Sequence, residues 1–291
     1  MTEIEVFENG KKITIPTKWE EMTDRQIRRI FRLDSIAINR RWTVAQLRLA
    51  ILTELLGVKI TPTSFRVNLD RASENLSMLS ESCLKELLQD GVRIQYNHIH
   101  NPLPMVRAGF FKKRLCAPSD LLSDISFSDF RHSADALNRF LKNGDSAELD
   151  ECIAILYRPF SRKADKIGRH ATPTSTETIA RDIRRARNLP SWEKNLILAW
   201  FSATLEFLQK ADLEINGETV QLGLLFAPEG KTVPSTESFG WSDLLIQIAK
   251  DGALGSMDKV DEAPLMHIFS IMWSNYKESK RNEKALKTKK S

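Results

Sequence analysis

The side chains able to do chemistry are few and widely spaced in this 291-residue sequence. His98-Ile99-His100 is the nearest approach to a ligand pair. Two residues apart on a strand they would share one face, so both imidazoles could reach one ion. Zinc sites of that kind need a third protein ligand and, for catalysis, a base. No HExxH, no CxxC and no suitably spaced partner accompanies the pair, so no metal is expected. His132, His170 and His267 stand alone. Cys83, Cys116 and Cys152 are too scattered for a disulfide framework or a zinc knuckle, and they fit a reducing compartment. Neither GxGxxG nor GxxxxGK[ST] occurs, and Gly252-Ala253-Leu254-Gly255 has no strand before it. There is no GxSxG elbow for a nucleophilic serine. Carboxylates are dispersed over amphipathic stretches without a distinct acid/base pair. The chain reads as non-enzymatic, with no catalytic residue and no cofactor expected.

Charge is the more informative property. The net +5 comes from 43 Lys and Arg against 38 Asp and Glu. Residues 158–187 hold nine basic and three acidic side chains, and residues 277–291 hold seven and two. Such segments serve phosphates or acidic protein surfaces. The candidate contact residues are Arg181, Arg184, Arg185, Arg187, Lys284, Lys287, Lys289 and Lys290. No interleaved aromatic and no recognition-helix pattern accompanies them, so nucleic-acid binding is expected to be weak and non-specific. A 42% hydrophobic composition supplies a core. No apolar run approaches the ~18 residues of a membrane span. The opening MTEIEVFENGKK lacks an apolar h-region, so a cytoplasmic, membrane-free protein is expected.

The elements that must position these groups are mostly helical. Ile4, Val6 and Phe7, then Asn9-Gly10, then Ile13 and Ile15 predict an N-terminal hairpin. Thr23 with Gln26 and Thr43 with Gln46 each fit a capping box at a helix start. The first leads Ile27, Ile30, Phe31 and Ile38; the second leads Leu47, Ala50, Ile51 and Leu55 and stops at Gly57. Residues 69–89 read as a helix, and Val92 to His100 alternates like a strand. Helices are predicted over 126–142 and 146–157, separated by Asn143-Gly144. Thr174 with Glu177 fits another capping box, ahead of Ile179 to Asn188. The most apolar helix is predicted from Trp192 to Gln209. Asn216-Gly217 marks a second small hairpin. A loop over 223–239 and a short helix over 241–250 follow. Pro264 opens a helix whose stripe is Leu265, Ile268, Phe269, Met272, Trp273 and Tyr276. Beyond Tyr276 a frayed helix or disorder is expected.

The fold class expected is mainly α: a multi-helix globular fold with one or two small β-hairpins. It divides into a hairpin-plus-helical region (1–157), an exposed basic loop (158–175), a second helical region (176–276) and a basic tail (277–291). A core of Trp200, Phe207, Leu156, Ile153, Phe269 and Trp273 is expected.

Several stretches resemble a known family; two carry its motifs, and the Leu189–Phe207 helix and the Trp241–Gly255 segment are similar in kind to its later parts. Ile15-Pro16-Thr17-Lys18-Trp19-Glu20-Glu21-Met22-Thr23 resembles the IPxxWEELT start of proteins from Bacteroides-group phages and prophages. Ala154-Ile155-Leu156-Tyr157-Arg158-Pro159-Phe160 resembles their AxLYRP block. The family is that of tail assembly chaperone-like proteins. The resemblance implies a helical protein that shields a helical viral tail protein, the tape measure, in the host cytoplasm while the tail assembles. It supplies no catalytic residue to carry over. Two other readings stand beside it: a structural tail or connector component that stays in the virion, and a nucleic-acid-associated accessory protein. The oligomeric state is left open.

Overall fold

The computed structural model describes residues 2–6, 11–56, 83–89, 93–108, 113–173, 175–226, 248 and 254–288. Nine helices and nine short antiparallel strands occur among them, so the chain is mainly α as expected. In order, β1 (Thr2–Val6) and β2 (Lys11–Ile15) precede α1 (Asp24–Arg40) and α2 (Val44–Leu55). β3 (Leu88–Gln89), β4 (Arg93–Ile94), β5 (Met105–Ala108) and β6 (Lys113–Cys116) follow. Next come α3 (Phe127–Asn143), α4 (Ser146–Leu156), β7 (Arg158–Pro159), α5 (Thr176–Arg187) and α6 (Ser191–Leu208). The last are β8 (Asp212–Ile215), β9 (Glu218–Gln221), α7 (Leu222–Phe226), α8 (Met257–Glu262) and α9 (Leu265–Thr288).

The chain forms two units, each assembled from separated segments. One holds Met1–Leu103 with Pro190–Ala203, the other Pro104–Leu189 with Thr204–Ser291. These divisions do not follow the composition boundaries at 157, 175 and 276.

In the first unit, β1 and β2 pair with Val6 opposite Lys11. The Asn9-Gly10 turn and Phe7 lie outside the described residues. Thr23 accepts from the Gln26 amide while the Gln26 side chain accepts from the Thr23 amide, closing the box on α1. Thr43 and Gln46 do the same for α2. Each box satisfies helix-end donors that would otherwise be orphaned. Ile27, Ile30 and Phe31 are buried, but Ile38 is 66% exposed. The buried face of α1 ends at Ala37, and Arg41 then turns the chain in the left-handed region. Trp19, Phe31 and Tyr96 pack as an aromatic trio, with Trp19 and Tyr96 edge to face at 5.0 Å. The helix expected over 69–89 is not carried to its end: Leu88–Gln89 pair with Arg93–Ile94 instead. Residues 69–82 and Gly57 lie outside the described residues. The strand expected through His100 is regular only at Arg93–Ile94.

In the second unit, α3 and α4 form a helical hairpin through Gly144, whose φ of 71° is readily adopted by glycine. Phe130 of α3 meets Phe269 of α9 edge to face at 6.2 Å. Ser126 and Pro264 bridge, and the Phe127 amide donates to the Ala263 carbonyl at 2.9 Å. A three-stranded sheet in the order β5-β6-β7 was not expected. Its outer strands are four and two residues long, too short for alternation to register. The second hairpin is as expected, with Asn216 and Gly217 both at positive φ (54° and 79°) between β8 and β9. α5 begins one residue later than expected: Ser175 is its cap and Thr178 completes the box. α8 was not foreseen. Most of the stretch 223–250 lies outside the described residues; Ile248 is helical and buried. α9 continues through Thr288 rather than fraying at Tyr276.

The expected exposed loop is a folded one. Phe160 and Ala171 bridge, and the Ser161 amide donates to the His170 carbonyl at 3.1 Å. At the tip, Asp165 accepts from the amides of Ile167 and Arg169 at 2.9 and 3.0 Å. Arg158 and Arg169 are buried, while Lys163, Lys166 and Gly168 are exposed. The composition signals a solvated segment, but two of its cations turn inward. Limited trypsin treatment should therefore cut after Arg281 or Lys284, both exposed near the end of α9, before it cuts after Arg169. A first cut after Arg169 would contradict the folded loop.

Five of the six expected core residues are buried. Phe207 is 38% exposed. In the last turns of α6 the buried positions shift to Thr204 and Leu208, which leaves Phe207 at the margin. Trp200 also belongs to a different unit from the other four.

Candidate functional site

α9 is the element best placed to meet a partner. Leu265, Ile268, Phe269, Met272 and Trp273 bury its first half. Past Trp273 the helix keeps its hydrogen bonding to Thr288 and buries no further described side chain. At the changeover, Trp273 and Tyr276 stack at 5.5 Å. Lys277 lies 6.0 Å from the Trp273 ring centre and Lys280 lies 5.6 Å from that of Tyr276. Cation–ring contacts of this kind hold long side chains against the helix. Lys277 also pairs with Glu218 of β9. Beyond Lys280, Arg281, Lys284, Ala285 and Leu286 are exposed. Lys284 is thus on an open face; the Lys287 side chain, Lys289 and Lys290 lie outside what the structure describes.

The other candidate contacts are on α5. Arg181 and Arg184 are exposed. Arg185 is engaged by Asp182 at 2.5 Å, and Arg187 approaches the buried Asp150 of α4 at 3.6 Å. The four do not present one free cationic surface, because Arg181, Arg185 and Arg187 lie 3.9, 2.5 and 3.6 Å from carboxylates of their own unit. A net charge taken over contiguous segments also hides a third basic surface, on α1. Arg25, Arg28, Arg29 and Arg32 are all exposed there, at intervals of three and four. Helical spacing of one residue type, rather than segment charge, is the signal that finds them.

The two histidines do not converge on a shared third ligand among the described residues. His98 and His100 sit in irregular chain with ring centres 6.1 Å apart. Each faces its own carboxylate: His100 Nε2 lies 3.0 Å from Asp24 Oδ1, and His98 Nδ1 lies 3.7 Å from Glu20 Oε1. No cluster of three or more metal-type ligands occurs among the described residues.

An open cleft of about 820 Å³ in the second unit gathers six carboxylates: Asp129, Glu151, Asp165, Asp258, Asp261 and Glu262. Most are committed to ion pairs. Arg158 holds Asp129 at 3.3 Å and Asp165 at 3.7 Å, Arg131 holds Asp261 at 3.0 Å, Arg139 holds Glu151 at 2.8 Å and Lys166 holds Glu262 at 3.0 Å. Ser128 Oγ lies 3.3 Å from His132 Nδ1 at the same cleft. A nucleophilic serine also needs its histidine oriented by a third group, and no carboxylate pairs with His132 among the described residues.

The stretches that carry the family resemblance have structural roles. Trp19 is buried and its Nε1 donates to the Gln95 carbonyl at 2.6 Å. Glu21 accepts from the amides of Thr17 and Lys18 at 2.8 and 3.3 Å. Thr23 caps α1. In the second stretch, Tyr157 is fully buried and Arg158 joins α3 to the folded loop. Arg169 completes this centre by donating through Nη2 to the Cys116 carbonyl at 2.9 Å and to Leu156, whose carbonyl ends α4. Burial, and then the nearby Arg158, lower the Arg169 pKa to about 10, so it stays charged at neutral pH.

Glu193, in the first turn of α6, is a carboxylate that burial pushes above its ordinary range. Burial pushes its pKa up to about 6, and its Oε2 is buried without a hydrogen-bond partner among the described residues. The folded chain then binds a proton more readily than the unfolded chain between about pH 4.5 and 6. Stability is lost as pH rises through that window, and the penalty is fully present above it. Glu193→Gln should stabilise the protein by about 1 kcal/mol at about pH 8, after discounting for the part of the side chain that water screens, and by nothing at about pH 3. Urea melts at the two pH values measure this; an equal effect at both would contradict the assignment.

No helix among the described residues is long and apolar enough to cross a membrane. No family model, curated protein or solved structure matches the chain.

Proposed function

We propose that this protein is a non-enzymatic interaction protein of phage tail assembly, of the tail assembly chaperone kind, and that α9 is the arm that takes hold of its partner. The observation that carries the reading is the division of α9. Its first half is fixed by buried Leu265 to Trp273, while its second half continues as an exposed, cationic helix. A preformed helix loses little chain entropy on binding, so its partner can be held by a modest contact area. The partner is an acidic helical tail protein, the tape measure in the reading drawn from the IPxxWEELT-like and AxLYRP-like stretches. Their buried, fold-holding residues support a resemblance in scaffold rather than in catalysis. The protein acts in the host cytoplasm and needs no cofactor.

Co-expression tests this directly. The soluble yield of a tape measure protein should rise several-fold with this chain present. Purified virions should lack the chain. Unchanged solubility would overturn the chaperone reading, and stoichiometric retention in particles would replace it with a structural tail or connector component.

A further inference from the structure

α1 carries a charge pattern that its own unit does not answer. Arg25, Arg28, Arg29 and Arg32 are exposed, and at 3.6 residues per turn they fall within an arc of about 100°. The opposite face holds the buried Ile27, Ile30, Phe31 and Ala37. Arg40, also exposed, continues the arginine face about two turns further on. Little offsets this charge. Arg28 Nε donates to the Asp24 backbone carbonyl at 3.0 Å, and Arg29 is 3.9 Å from Glu54. Neither Arg25 nor Arg32 makes an ion pair among the described residues. Like charges three or four residues apart repel and weaken a helix. The pairs 25/28, 25/29, 28/32 and 29/32 are all of that kind. A face serving only solubility gains by interleaving carboxylates, and between Arg25 and Arg32 there are none.

The residue type narrows the ligand. All four are arginines, whose planar fork donates two parallel bonds to a phosphate and stays charged. Arg25 and Arg32 are about 10 Å apart along the axis, a length over which a nucleic-acid backbone presents several phosphates. A protein partner would need apolar or aromatic anchors at the centre of the contact. The stripe has none before the half-buried Ile36. We infer that the exposed arginine face of α1 binds the phosphodiester backbone of nucleic acid without reading its sequence. This surface lies apart from α5 and α9 in sequence and does not depend on the proposed function.

The test is a fluorescence titration of the full chain with a labelled DNA duplex of about 20 base pairs over a range of salt concentrations. The variant R25Q/R28Q/R29Q/R32Q should bind at least about tenfold more weakly at low salt, with a plot of log affinity against log salt shallower by about 3.6. A control variant, R181Q/R184Q on α5, should change affinity less than about threefold, having fewer free cations to give. Circular dichroism melts should show the quadruple variant as stable as the parent. If it does not fold, Arg25→Gln and Arg32→Gln alone should each reduce the slope by about 0.9. An absence of duplex binding by the parent, an unchanged slope in the α1 variants, or loss carried by the α5 control would overturn the inference. Displacement of the duplex by polyglutamate at equal charge would also overturn it and assign the face to an acidic protein.

Discussion

Replacing Trp200 with alanine should lower the unfolding free energy by about 3–5 kcal/mol. The indole is fully buried on α6, tilted against Phe201 with ring centres 6.2 Å apart. Its Nε1 donates to the Ile99 carbonyl at 2.8 Å. Truncation leaves a cavity that the surrounding helices fill only in part, and it removes a donor from a carbonyl in the irregular chain after β4. Phe207→Ala on the same helix should cost under about 1 kcal/mol, because that ring is already 38% exposed. Denaturant unfolding monitored by circular dichroism compares the two variants, with the transition of each unit fitted separately if they do not coincide. Similar losses for both would contradict the burial assigned to α6.

Arg158→Met should be comparably damaging, at about 3–5 kcal/mol. The Arg158 side chain is 5% exposed and holds Asp129 and Asp165, which are 10% and 12% exposed. Methionine fills much of the same volume but leaves Asp129 and Asp165, each largely buried at the wall of the cleft, without the guanidinium that pairs with them. The penalty comes from those stranded charges more than from a lost attraction. Adding Asp129→Asn to Arg158→Met should therefore recover part of the loss, although each substitution alone destabilises. Denaturant midpoints for the parent, the two single variants and the double variant close the cycle. Strictly additive losses would mean that Arg158 and Asp129 act independently. The folded loop should loosen in Arg158→Met, seen as faster trypsin cleavage after Lys163 and Arg169.

The helical part of this fold is legible in the sequence where capping chemistry and apolar spacing agree. Thr23, Thr43 and Ser126 lie at the starts of helices that the pattern finds, and Asn216-Gly217 gives its hairpin by the same local logic. Elements fixed by distant partners are not legible. β5, β6 and β7 exist because Val106 pairs with Leu115 and Leu115 with Pro159, pairings that four-residue strands do not announce. Leu88–Gln89 follow a helical pattern yet pair with Arg93–Ile94, as local propensity yields to a neighbouring strand. The basic loop misleads for a different reason. Counting Arg158 and Arg169 as solvated charge ignores the carboxylates and carbonyls that draw them inward. Of the candidate contact residues, Arg181, Arg184, Arg187 and Lys284 are exposed and Arg185 is half-buried, while Arg181, Arg185 and Arg187 each lie near a carboxylate of the fold. The arginine face of α1 was present as spacing all along, masked by a segment-wise count of charge.

The arm of α9 can be separated from the fold it grows from. Ending the chain after Lys280 keeps the buried residues through Trp273, the Trp273–Tyr276 stack and the Lys277–Glu218 pair. It removes exposed Arg281, Lys284 and Leu286 together with the remaining lysines. The decisive measurement is co-purification of the tape measure protein with this truncated chain, alongside its melting temperature. The account predicts a melting temperature within about 2 °C of the parent, because the removed side chains among the described residues are not buried and the Lys280–Glu283 pair that goes with them is a surface pair within the helix, with the partner lost. Full retention of the partner by the truncated chain would contradict it, as would a large drop in stability, which would mean that these residues pack on the fold.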